Sequence, residues 1–177
     1  MSEVKNKKKK SSIIQISIGV LAVILAILII IMMGIVSDIQ GTARIVNYTG
    51  LVRGETQRLI KLELSTRQEN EMIHEIRTFI DGLRNGNDEL NLVRLDDVDF
   101  QNKMQELDDK FSDLYKKIHL VRFKGAKNTD IIPESEEFFV ICDEATGLAE
   151  KYSQKKATSL SLLEKYITAD IVVLMLL

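Results

Sequence analysis

Arg53 stands where the pattern of its segment asks for an apolar side chain. Ile39, Ala43, Val46, Gly50, Arg53, Gln57, Ile60 and Leu64 recur in steps of four and three, the spacing that lines one face of a helix. On that seam a small residue, a cation and an amide follow one another. A buried guanidinium without a partner is strongly unfavourable, so Arg53 needs an anionic ligand, a Glu on a neighbouring helix, or a route to solvent. Its planar fork suits carboxylates and oxyanions, which makes an anion site one reading of the seam and a structural ion pair the other. Arg44, Asn47, Gly54 and Arg58 fall on a different face. A second stripe, Ile45, Tyr48, Val52, Leu59 and Leu62, runs beside the first. One stripe can face a core and the other a second subunit, which predicts a parallel homodimer.

Other chemistry is sparse. His74 and His119 are isolated and fall on separate predicted helices, so no shared metal site is expected. The single cysteine, Cys142, excludes an internal disulfide and a cysteine-based zinc site, and its place on an apolar stripe predicts a small buried side chain. The acidic groups Asp96, Asp97 and Asp99, and Asp108 with Asp109, lack the spacing of a calcium loop. Asn47-Tyr48-Thr49 matches a glycosylation sequon by pattern alone. Neither catalytic residues nor a cofactor or metal are expected. No enzyme is expected in this segment.

The elements that must position Arg53 can be read from charge and periodicity. The chain has 177 residues, with 24 Lys and Arg against 26 Asp and Glu. Lys5 and Lys7 to Lys10 precede a charge-free run, Ile13 to Val36, and the remainder is acidic, which argues against nucleic acid as a partner. As a helix, those 24 residues reach roughly 36 Å, enough to cross a bilayer core of about 30 Å. The lysines before the span, and Asp38 after it, predict a cytoplasmic tail over 1–12 and an extracytoplasmic body over 37–170. Asp170 is followed by IVVLMLL, which predicts the start of a second membrane helix over 171–177 and a longer parent protein.

One proline, nine glycines and no tryptophan favour long helices. Thr66-Arg67-Gln68-Glu69 matches a capping box, predicting that the first helix ends near Leu64 and a second begins near Gln68. Met72, Ile73, Ile76, Phe79, Ile80 and Leu83 form the stripe of the second helix, which Asn85-Gly86 closes. Phe100, Met104, Leu107, Phe111, Leu114, Ile118 and Val121 form that of the third, closed by Lys124-Gly125. Ile132-Pro133-Glu134 opens a fourth, whose stripe runs through Phe138, Cys142, Ala145, Ala149, Tyr152, Leu160, Leu163 and Ile167. The expected fold class is all-α: a transmembrane helix followed by an extracytoplasmic antiparallel four-helix bundle.

Over Ile45 to Leu64 the string Asn47-Tyr-Thr-Gly50-Leu-Val-Arg53-Gly-Glu-Thr-Gln57-Arg58 resembles the first-helix signature of bacterial transmembrane sensors of the nitrate/nitrite sensor kinase and type IV pilus chemoreceptor kind. Similar regions precede diguanylate cyclase or histidine kinase modules. The resemblance implies a dimeric four-helix sensor in which Asn47, Gly50, Arg53, Gln57 and Arg58 contribute to a small-anion site at the dimer interface. Gly54 and Glu55 depart from the nitrate sensors' pattern. The function expected is ligand sensing for a signalling receptor embedded in the lipid bilayer of the cell membrane. A ligand-free dimerising stalk is the alternative.

Overall fold

The structure, a computed structural model, describes the backbone of residues 2–177 and the side chains of residues 12–177. The side chains of Lys5 and Lys7 to Lys10, in the expected cytoplasmic tail, lie outside the described residues. Four helices make up the chain: α1 (Ser2–Leu64), α2 (Asn70–Asn85), α3 (Val98–Lys124) and α4 (Ile132–Leu176), with a short 3-10 turn at Ala126–Asn128. Among the described residues there is no strand; an isolated bridge joins Asn87 to Leu92 in the α2–α3 connection. The protein is all-helical. α1 ends at Leu64, just before the Thr66 segment, α2 and α3 stop at Gly86 and Gly125, and α4 opens at Ile132-Pro133, each where the sequence places it.

Two compact units share the chain. Residues 40–154 form one of them, and residues 1–39 with 155–177 form the other. In the first unit every α-helix supplies part of one core. Ile76, Ile80 and Leu83 come from α2, and the whole expected stripe of α3 is buried. Phe138, Cys142, Ala145 and Ala149 come from α4. Burying each large apolar side chain contributes about 1.5–3 kcal/mol, so the α2–α3 pair, which holds most of them, dominates the packing.

The core face of α1 is not the seam around Arg53. Thr42, Ile45, Thr49, Val52, Thr56, Leu59 and Glu63 are buried, in steps of three and four, one residue ahead of that seam at every position. Ala43 and Gln57 are exposed, while Val46, Gly50 and Arg53 are half-buried. The competition between faces is decided by desolvation. Burying Arg53 and Gln57 would strand a charge and an amide, whereas a buried threonine can turn its methyl to the core and its hydroxyl to its own helix. Thr49 does so, its Oγ1 donating to the carbonyls of Ile45 (3.2 Å) and Val46 (2.9 Å). Ile45, Val52 and Leu59 are therefore spent in the chain's own core and cannot form a stripe for a second subunit.

The expected capping box is also replaced. Thr66 adopts φ 65° and closes α1: its N–H donates to Glu63 O, and Arg67 N–H donates to Leu62 O. These are the paired bonds of a Schellman motif, with threonine in the left-handed position that usually holds glycine. α2 consequently starts at Asn70, and Glu69 at its N-cap makes no side-chain cap. α3 keeps the more usual solution, Asp97 accepting from Phe100 N–H at 3.0 Å.

Polar contacts tie the helices of this unit in a consistent direction. Lys103, Lys110 and Lys117 of α3 pair with Glu144, Glu137 and Glu134 of α4, each at 2.6 Å. Residue numbers rise on α3 as they fall on α4. Between α2 and α3, Arg84 pairs with Asp108, and the Arg77 guanidinium lies 4.8 Å from the Tyr115 ring centroid. The α2–α3 connection is seated on α1, where Arg44 Nη1 donates to Asn91 O at 2.9 Å. Gly41 makes room there, since a Cβ at that position would lie 2.8 Å from Val93 Cγ2.

The second unit contains the apolar part of α1. Ile13, Ile16, Ile30 and Met33 are all more than half exposed, and the segment is apolar all round rather than along one stripe. A helix of that kind suits a protein interior or a lipid phase. It is long and apolar enough to cross a membrane. Within this unit Lys156 of α4 pairs with Asp38 of α1 at 2.8 Å, and Asp170 is buried.

Candidate functional site

Arg53 projects from α1 toward α4. Its Nη1 pairs with Asp143 Oδ1, and its guanidinium lies over the Phe139 ring, 5.2 Å from the centroid. The side chain is 38% exposed and that of Asp143 49%, so both charges keep contact with water. Seven residues behind Asp143, in the direction of Glu136, α4 carries further acids; one turn the other way, Thr146 Oγ1 donates to Thr49 Oγ1 at 3.0 Å. The α1–α4 contact therefore holds a surface ion pair, an aromatic face and a pair of hydroxyls over small core residues, Cys142, Ala145 and Ala149.

The other residues of the signature are dispersed. Asn47 is exposed. Arg58 reaches Glu55 on its own helix at 3.5 Å, and Gln57 is exposed one turn beyond Arg53. Gly50 and Gly54 face open space, with nothing within 4 Å of an added Cβ, so neither is required by packing within the chain. The structure thus brings Arg53 to Asp143 and Phe139 and leaves Asn47, Gln57 and Arg58 at the surface around it.

Cys142, directly under this cluster, is fully buried, and burial pushes its thiol up to about 12 despite the opposing Arg53 charge. It is an inert packing group at neutral pH. His119 packs edge-on against Tyr115 at 4.5 Å, while His74 lies on α2. Among the described residues no group of three or more His, Cys, Asp or Glu is placed to hold a metal ion.

Two polar features of α1 were missed by seam reasoning, although a signal for both exists. Thr42, Thr49, Thr56 and Glu63 follow one another at intervals of seven, which puts them on one face of α1 together with Ile45, Val52 and Leu59. Glu63, at 3% exposure, receives Arg122 Nε at 2.8 Å and a second bond from Nη2, while Arg122 Nη1 donates to Asn70 Oδ1 at 2.7 Å. Glu69 N–H completes the shell of Glu63 at 3.1 Å. The Glu63 hydrogen bonds raise the Arg122 guanidinium above its ordinary value, so this charge is permanent. Thr56 is the odd member, its buried Oγ1 having no hydrogen-bond partner among the described residues.

No protein-family model, curated protein or solved structure matches this chain.

Proposed function

We propose that this chain is the membrane-anchored, ligand-sensing region of a bacterial signalling receptor, acting as a parallel homodimer. In this reading residues 40–154 are an antiparallel four-helix bundle on the extracytoplasmic side, and 13–36 cross the membrane with the lysines inside. The opposed numbering of the α3–α4 and α1–α4 contacts supports the bundle. The resemblance over Ile45 to Leu64 supports the sensor. The open α1 face at Ala43, Asn47, Gly50 and Gly54, with Leu51 partly exposed, offers a second copy the close approach that a dimer through α1 requires.

The observation that carries the proposal is the Arg53–Asp143 pair. It joins the first helix to the last through a contact that a small anion can replace. An exposed pair of this kind is worth about 0–1 kcal/mol, so displacing Asp143 costs little. An anion on Arg53 would then favour an α1–α4 packing without that tie, and the shift equals the anion's differential affinity for the two packings. The same observation favours the second reading, a ligand-free stalk, because Asp143 already meets the charge.

The readings part on affinity. In a thermal-shift screen of the full chain in detergent against nitrate, nitrite, carboxylates and amino acids, an anion should stabilise the wild type. Arg53→Ala should weaken that binding about tenfold to a hundredfold, since a hydrogen bond to a charged group is worth roughly 1.5–3 kcal/mol. Asp143→Asn, by freeing Arg53, should strengthen it. If no anion stabilises the wild type, or if Arg53→Ala binds it equally well, the stalk is the better account.

A further inference from the structure

Where α1 ends and α4 begins, Gln57, Ile60, Lys61, Leu64 and Ser65 on one side and Ile132, Ser135 and Glu136 on the other line a shallow groove open to solvent. Its floor is apolar, with Ile60 buried and Leu64 partly so, and Ile132 stands 57% exposed at its rim.

The charges of the groove set it apart from its surroundings. On α4, Glu134, Glu137, Asp143 and Glu144 are all engaged by cations of α1 or α3. Glu136 has no ion pair among the described residues, and neither has Lys61 across from it. One wall thus offers a free ammonium and the other a free carboxylate, above an aliphatic floor. A simple anion would meet Glu136, and a simple cation would meet Lys61. A molecule carrying both charges on one carbon and an aliphatic tail satisfies all three surfaces.

We propose that this groove binds an aliphatic α-amino acid as its zwitterion. The carboxylate lies on Lys61, with the Gln57 amide beside it, the ammonium lies on Glu136, and the side chain rests on Ile60, Leu64 and Ile132. The site is separate from Arg53 and needs no signalling output to be real.

The test is methyl NMR of the full chain in detergent micelles, with isoleucine δ1 methyls labelled and L-leucine as the probe. Leucine should shift the Ile60 and Ile132 signals saturably. L-Leucinamide, which lacks the anion, and 4-methylpentanoate, which lacks the cation, should each bind at least about tenfold more weakly, as should leucine to Lys61→Gln or Glu136→Gln. Both substituted residues are at the surface, and unchanged signals from core isoleucines such as Ile76 and Ile118 verify that the variants are folded. Nitrate should leave the Ile60 and Ile132 signals in place, so failure here is distinguishable from failure at Arg53. Absence of a saturable leucine shift, or equal binding of the amide or the acid, overturns the proposal.

Discussion

Glu63 and Arg53 carry opposite lessons about a charge on a helix. Arg53 breaks an apolar stripe, yet it stays in contact with water and its stripe is not the core face. Glu63 closes a stripe of threonines and is nearly inaccessible, its carboxylate enclosed by Arg122 and the Glu69 amide. Breaking a buried pair leaves an uncompensated charge, so Glu63→Gln should lower unfolding stability by roughly 3 kcal/mol, measured by denaturant titration of the full chain. Replacing both partners by leucine should recover most of that loss. A single-variant cost below about 1 kcal/mol would place the pair among exposed bridges instead. At this scale little was legible: spacing located the polar residues of α1, but choosing between faces one residue apart required knowing which side chains could satisfy themselves. Thr66 shows the same limit, because a capping-box pattern and a helix-closing residue are indistinguishable until the backbone chooses a hand.

The helices themselves were far more legible, since α2 and α3 each carry one apolar stripe with no competing face. Their glycine stops, Gly86 and Gly125, take φ 86° and 85°, conformations that a side chain disfavours. The α3–α4 ladder was not foreseen, as nothing in either helix alone names its partner. The ladder has a pH signature. The Lys117 hydrogen bond holds Glu134 below its ordinary value of 4.5, so its contribution is present above that value and lost as pH falls through and below it. Hydrogen bonds that Lys103 donates to Glu106 and Glu144 hold its ammonium above 10.5, so its share is complete below 10.5 and lost as pH rises further. Melting temperature should therefore hold from 4.5 up to 9.0, above which the unfolded Cys142 thiol ionises while the buried one does not and stability declines; Glu134→Gln should flatten the acid-side decline by a few tenths of a kcal/mol, discounted for exposure. A second element-level prediction concerns the seating of the α2–α3 connection. Gly41→Ala would drive a methyl into Val93, whose branched side chain is stiff though 54% exposed, and this strain should cancel the roughly 1 kcal/mol that alanine gains over glycine inside a helix and leave a net loss of at most about 1 kcal/mol. Val93→Ala in the same chain should restore stability; a double variant no better than the single one would show that Gly41 matters for another reason.

For the whole molecule, composition carried the reading of a charge-free span before an acidic body, and the structure shows a helix that can cross a membrane. Which side the body occupies is read from the flanking charges, the lysines before the span and Asp38 after it. Replacing Asn87 by cysteine should make intact cells reactive to a membrane-impermeant maleimide. Native Cys142 stays silent in that assay because it is buried with its thiol pushed up to about 12. Labelling only after lysis would reverse the orientation. The unbroken course of α1 through residues 36–41 has one more consequence. Proteases draw their substrates into extended strands, and cleavage concentrates where the backbone is free to comply. No such stretch separates the apolar span from the body along α1; the nearest interhelical segments are 65–69, 86–97 and 125–131, all beyond it. Limited proteolysis should therefore cut first within 65–69, 86–97 or 125–131 and spare residues 36–41.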